Sequence, residues 1–298
     1  MSQDYRDRVL QSIAEGRKQS LLFSKTLVSV SNSHYNHLFQ LAGYPAAGDY
    51  TQATALAATP IVGGSTPSPA SLFGTMNLDD PTNGYDALLT GLKAWTSTVN
   101  GLGTLILVDL LALYRGFNGN TAGAQATTVT PTTGDLIPLP RYADGKGVQI
   151  LTDVQVALGA NARTLTVNYT DQGGAAGVTP NHTTIASQAA SKIMTGVSTG
   201  GPFMTLAGGD SGVKSIQSAT LNLGTGAGTF ALWLCKPLLT IPVIQLSSTA
   251  HNFGEVRGID DLNTVEILSG AALSWVWVPG STGVATLQGL IDKVDVIQ

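Results

Sequence analysis

The sequence predicts an all-β protein: an antiparallel β-sandwich or jelly-roll-like body carrying a short N-terminal helical arm. Three observations lead there. Segments such as VQILTDVQVAL, TLTVNYT, SIQSATLNL, TFALWL and AALSWVWV are rich in β-formers, with Gly, Asn, Thr and Pro clusters between them. No regular alternation of strands with long helices accompanies them, which favours antiparallel layers over a parallel α/β sheet. A near-repeat at an offset of 65 residues also aligns Gly147-Val148 with Gly212-Val213 and Leu158-Gly159 with Leu223-Gly224. Thr164 then matches Thr229, and the pairs Leu165/Phe230, Val167/Leu232 and Tyr169/Leu234 follow in register.

Residues 1–28 form the arm. Tyr5, Val9, Leu10 and Ile13 recur at three- and four-residue steps among charges, the helical period, and are the candidate interaction residues. Their narrow stripe either packs on the chain's own body or reaches a neighbouring subunit. Gly16 interrupts the helix, and LLFSKTLVSVS drifts to extended sequence. If the arm anchors the protein, a chain without residues 1–25 is expected to keep its β body and lose its binding.

The β-rich body takes residues 29–298. Within it, HYNHLFQLAGYPAAG (34–48) reads as a short helix ended by Gly43 and Pro45, and residues 59–71 as a Pro/Gly/Ser-rich loop. Residues 85–99 read as a second helix, because Leu88, Leu92, Trp95 and Val99 fall at three- and four-residue steps. TLILVDLLAL is compatible with strand or helix. The near-repeat reads as two related hairpin units, about 143–170 and 208–235.

Composition bounds the function. Only 11% of the 298 residues are charged, against about 25% for an ordinary soluble domain. Eight of those charges (Asp4, Arg6, Asp7, Arg8, Glu15, Arg17, Lys18 and Lys25) crowd the first 25 residues, so the body is unusually uncharged and much of its surface is expected to meet other protein. A net charge of −4 without a basic run argues against nucleic acid as a direct partner. The apolar run at 105–114 is far short of the roughly 20 residues that span a bilayer and contains Asp109, so no membrane partner is expected. The N-terminus reads as lacking a secretory signal, which makes the Asn168 and Asn181 glycosylation patterns chance matches. Cys235, the single cysteine, continues an apolar run as a buried strand position does.

The stretch closest to a catalytic signature is GGDSGV (208–213), similar to the tight loop on which trypsin-like proteases carry a nucleophilic serine. Under the repeat it falls on ADGKGV (143–148), so Ser211 corresponds to Lys146 and the loop recurs without its serine. A serine nucleophile needs a histidine base oriented by a carboxylate, and His34, His37, His182 and His251 sit in no base context. Ser211 therefore reads as a turn residue. His34 and His37 would share a helix face as a metal pair requires, yet no third ligand is spaced to join them. Asp79-Asp80 and Asp260-Asp261 read as turn or element starts, since neighbouring carboxylates on a strand point apart. LNLGTGAGTF (221–230) lacks the Lys-Ser/Thr of a phosphate loop and reads as a hairpin turn. Trp233, Trp275 and Trp277 lie in strand segments and suit a core or an interface better than a sugar platform. No catalytic, cofactor or metal residues follow, and the chain is expected not to be an enzyme.

Four stretches in order, LAGYPAAGDY, LPRYADGKGV, LTVNYTDQGGAAG and GGDSGVKSIQSATLNLGTGAGTFALWLCKPL, resemble a group of virion structural proteins of tailed bacteriophages, from about Tyr35 to the C-terminus. The resemblance implies a non-enzymatic particle component without cofactor, found in the virion and in host cytoplasm during assembly. The preferred expectation is an auxiliary capsid decoration or cement protein, bound to other virion proteins such as the major capsid protein. As the resemblance implies, such a protein would be a homo-oligomer, with a trimer favoured. The alternatives are a major capsid subunit, a tail or neck component and, more remotely, a receptor- or glycan-binding module. A major subunit of the common tailed-phage fold would show a long spine helix, for which residues 85–99 are short.

Overall fold

The computed structural model describes residues 3–30, 34–48, 61–62, 76, 78, 85–96, 98, 102–127, 139–196, 201–245, 265–280 and 283–297. In chain order these form a helix α1 (Gln3–Ala14) and strands β1 (Lys18–Val30), β2 (His34–His37), β3 (Gly43–Tyr44), β4 (Ile61–Val62), β5 (Tyr85–Thr96), β6 (Gly103–Asn118), β7 (Gly123–Ala126), β8 (Gln149–Val156) and β9 (Thr164–Asp171). They continue as β10 (Ala176–Val178), β11 (His182–Thr183), β12 (Lys192–Gly196), β13 (Val213–Leu221), β14 (Thr229–Gln245), β15 (Val265–Ile267), β16 (Leu273–Pro279) and β17 (Gly283–Ile297).

A 12-stranded sheet runs β12-β2-β16-β6-β14-β5-β17-β1-β3, with β15 on β5, β4 on β6 and β8 on β14. A 5-stranded sheet runs β10-β9-β13-β7, with β11 on β9. All pairs are antiparallel except the short contact of Ile244 and Gln245 in β14 with Trp95 and Thr96 in β5. The fold is thus the antiparallel, sandwich-like β architecture that the strand spacing predicts, with one short N-terminal helix.

β6 and β14 pair along most of their length and form the spine of the molecule. Three apolar clusters meet on them. Leu105, Leu107, Ile241 and Val243 pack with Phe23, Leu92, Leu287, Trp275 and Trp277. Leu111, Phe117, Phe230, Leu232 and Leu234 pack with Leu165, Val167, Tyr169 and Ile216 of the smaller sheet. Val108, Leu110, Leu113, Trp233 and Cys235 face the opposite side, against Tyr35, Phe39 and Val276. A strand covered on both faces needs apolar residues at every position, which is why TLILVDLLAL lacks alternation and is nevertheless a strand. The tryptophans at 233, 275 and 277 are core residues.

Three local expectations give way. Residues 85–96 are β5, not a helix. A bulge opposite Asp292 and Lys293 shifts the pairing from Gly91 to Leu89, so side chains change face midway along the strand. Leu92 then points into the main core while Leu88 lies beneath α1 on the other face, and the helix-like spacing is a mixture of two faces. Residues 34–48 are also not a helix: β2 runs into a 3-10 turn (Leu38–Gln40) and then β3. His34 and His37 consequently fall on opposite faces of a strand, and the helix-face metal pair does not form.

The third concerns the repeat. β8 belongs to the large sheet and β9 to the small one, so the first unit is an arch between layers, not a hairpin. The second unit repeats this in reverse, from β13 in the small sheet to β14 in the large one, and LNLGTGAGTF is the inter-sheet connection. Each unit pairs with the other: Val154 opposes Phe230, and their counterparts Ala219 and Leu165 lie within two positions of mutual register, Ala219 opposing Val167. The apolar pairs of the repeat therefore converge on one cluster, which Leu165, Val167, Tyr169, Phe230, Leu232 and Leu234 share.

Candidate functional site

The arm residues separate. Val9 is 1% exposed and, with Ile13, packs on Leu88, Val294 and Val296. Full burial of one such side chain is worth about 1.5–3 kcal/mol, enough to hold a helix that would be marginal alone. Leu10 points outward at 48% exposure; Tyr5 lies on the first turn, with its side chain outside the described residues. Of the two readings of the stripe, packing on the chain's own body is the one observed for Val9 and Ile13. Beyond Gly16 the arm becomes β1, which pairs with β17 from Lys18 onward.

The outer face of β1 carries exposed apolar side chains. Leu22 and Tyr44 are 60% and 56% exposed. With Trp95, Ser20, Ser24 and Gln288 they line an open cavity of about 510 Å³. The Trp95 indole N–H donates to Gln288 Oε1 at 3.1 Å, which fixes the ring beside the opening.

Ser211 lies in an exposed turn held by backbone bonds. Its carbonyl accepts from the Gly147 N–H at 2.8 Å, and its own N–H donates to Gln172 Oε1 at 3.0 Å. Lys146 and Gly212 form an antiparallel bridge. The two repeated loops, ADGKGV and GGDSGV, thus clasp each other. A Cβ on Gly212 would sit 1.9 Å from the Gly145 carbonyl oxygen, so only glycine permits the approach.

A serine-histidine-aspartate constellation exists elsewhere. His37 Nδ1 is 2.7 Å from Asp153 Oδ2, and His37 Nε2 is 3.1 Å from Ser274 Oγ. The three side chains are thus linked in the order carboxylate, imidazole, hydroxyl, the connectivity of a nucleophilic triad. Burial separates it from an active site: His37 and Asp153 are 0% exposed and Ser274 2%. Phe39 stacks on the imidazole at 5.7 Å and Trp233 meets it edge-on at 5.7 Å. A scissile carbonyl would need to approach Oγ to about 3 Å, and Ser274 is buried from solvent. In this closed form the three residues tie β2, β8 and β16 together. Sequence reasoning missed them because Asp153 is 116 and Ser274 237 residues from His37.

Two other sites of buried charge, Asp109 with Arg141 and Lys25, are held by hydrogen bonds. Arg141 donates to both Asp109 oxygens, at 2.7 and 2.8 Å, and to the Leu110 carbonyl, while the Ala272 N–H donates to Asp109 Oδ1. Burial raises the Asp109 carboxyl above its ordinary range and Arg141 opposes that rise. Lys25 donates to the carbonyls of Leu41 and Pro45 at 3.0 and 2.6 Å, and burial pushes its pKa down to about 8. Burial pushes the Cys235 thiol up, with Asp109 adding to the effect. Among the described residues, no group of three or more His, Cys, Asp or Glu could hold a metal ion. His251, Asp79, Asp80, Asp260 and Asp261 lie outside the described residues. No described helix is long and apolar enough to cross a membrane.

No family model matches the chain, and no curated protein matches it. Among solved structures, an infectious bursal disease virus VP2 subviral particle aligns over 94% of this chain and 80% of its own, with 8% identity and a TM-score of 0.19. T=1 particles derived from the same virus align over 94% and 78%, with 10% identity and a TM-score of 0.17. At such scores the two likenesses carry no weight for fold or function.

Proposed function

We propose that the chain is a non-enzymatic structural component of a tailed-phage virion, an auxiliary decoration or cement protein on the head that acts as a homo-oligomer. The observation that carries this reading is the convergence of three stretches of the resemblance in one place. LPRYADGKGV and GGDSGVKS clasp through Lys146 and Gly212, and LTVNYTDQ supplies β9 to the same pair of arches. They build a packed core, not a pocket. Decoration is preferred to a major capsid subunit because the longest helix among the described residues has 12 residues and β5 stands where a spine helix was sought. The exposed Leu22 and Tyr44 beside the uncharged body suit contact with a neighbouring virion protein, and many repeated contacts stabilise a shell by mass action without chemistry.

The test is the copy number of this chain in purified particles, by quantitative mass spectrometry against the most abundant shell protein. A simple lattice fraction supports decoration, a far smaller ratio moves the chain to neck or tail, and absence from particles overturns the virion reading. Covalent labelling of Ser274 or Ser211 by a serine-directed probe would overturn the non-enzymatic one.

A further inference from the structure

β12 is the edge of the large sheet, and its first residue, Lys192, stands directly opposite Asn36 of β2. Directly opposed residues in an antiparallel pair project on one face with Cβ atoms about 4.5–5.5 Å apart. Here the two side chains meet inside the protein: Lys192 is 7% exposed and Asn36 2%, and Lys192 Nζ lies 2.6 Å from Asn36 Oδ1. With a C=O bond of about 1.2 Å, the amide carbon is at most about 3.8 Å from Nζ, close to the roughly 3–3.5 Å from which bonds form.

We propose that Lys192 and Asn36 join in an intramolecular isopeptide bond, formed by the protein itself, that staples the edge strand β12 to β2. An amide, unlike a carboxylate, is an acyl donor with ammonia as its leaving group. The neutral Lys192 amine attacks Asn36 Cγ, the Nζ–Cγ bond forms, the Cγ–Nδ2 bond breaks and ammonia departs. One proton passes from Nζ to the leaving nitrogen, so neither oxidant nor added reagent enters. The surroundings suit each part. Burial lowers the lysine pKa and so raises the share of nucleophilic amine. The Asn36 Nδ2 is turned toward the His34 carbonyl at 3.4 Å, leaving the carbonyl side to Lys192. His34, two positions along β2, shares the Asn36 face. Burial lowers its pKa, which favours the neutral imidazole that can accept and return a proton. Sheet edges are where strands fray and mispair, and a covalent tie at Lys192 closes this one. The inference stands whether or not the chain belongs to a virion.

The experiment is an intact mass of the purified full-length chain, followed by proteolysis and tandem mass spectrometry. The expected result is a mass lower than the sequence requires by one ammonia, and a branched peptide joining the Asn36 segment to the Lys192 segment, uncleaved by trypsin at Lys192. Lys192→Arg and Asn36→Ala should each return to full sequence mass. A wild-type chain at full mass overturns the proposal. So does an ammonia loss that maps to a linear peptide, as a succinimide would, with Lys192 recovered unmodified. Because the wild-type mass decides, a variant that fails to fold does not blunt the test.

Discussion

At the scale of the residue, the buried ionisable groups make the sharpest predictions. Arg141 compensates Asp109 in the middle of β6 through two hydrogen bonds. Arg141→Met leaves that carboxylate buried and uncompensated, so chemical denaturation should show a loss of about 3–5 kcal/mol. Stability should also depend on pH in a defined sense. Lys25 titrates near 8 when folded and at 10.5 when unfolded, so above pH 8 the unfolded chain binds more protons and stability rises with pH. From about pH 9 the Cys235 thiol, raised from 9.0 by burial, opposes the trend. Above pH 10 the hydroxyls of Tyr114, Tyr142 and Tyr169, pushed up to about 12 chiefly by burial, reverse it, because the unfolded chain then releases protons that the folded chain keeps. On the acid side, burial lowers His34 and His182 below 6.5, so stability falls as pH drops through that value and the unfolded histidines take up protons first. Denaturation midpoints from pH 5 to 11 should therefore fall at both ends, and a midpoint that keeps rising above pH 10 would contradict the tyrosine assignment.

At the scale of the element, the paired arches depend on the close approach of their loops. Gly212→Ala places a methyl group against the Gly145 carbonyl and should destabilise the chain clearly, whereas Gly208→Ala, with nothing within 4 Å of the added carbon, should leave the melting temperature almost unchanged. Equal effects of the two would show that the clasp is not needed. The repeat itself was legible in the sequence; the convergence of its apolar positions on a shared core was not. Nor was it legible that its strands lie in opposite sheets. A strand-turn-strand pattern of period two is the same for a hairpin as for an arch, since it reports which residues are buried and not which backbone is their partner. β5 was misread for a related reason: the bulge at Leu89–Gly91 moves side chains between faces, and spacing alone cannot tell an alternation broken by a bulge from a helical turn.

At the scale of the whole molecule, α1 closes one face of the large sheet over Leu88, Val294 and Val296, while β1 is part of the sheet itself. Deleting residues 1–25 would therefore remove the first eight residues of β1 with the helix. The cleaner deletion is residues 1–14. It should leave a folded β body, destabilised by at least the roughly 1.5–3 kcal/mol that burial of Val9 supplies, and particle binding measured by co-sedimentation should persist if Leu22 and Tyr44 make the contact. Loss of binding by this folded truncation would move the contact to the helix and its exposed Leu10.

The sequence by itself determined the all-β class, the short amphipathic helix, the strand placement of three tryptophans, the buried strand position of Cys235, and the internal near-repeat. Each follows from local composition and spacing, which burial imposes on neighbours along the chain. Only the tertiary structure decided which strands pair, that the duplicated units are arches, and that His37 meets Asp153 and Ser274 while Lys192 meets Asn36. Those encounters join residues 116 to 237 positions apart. Long-range strand pairing and packing around the large sheet, not any local preference, bring them within hydrogen-bond distance.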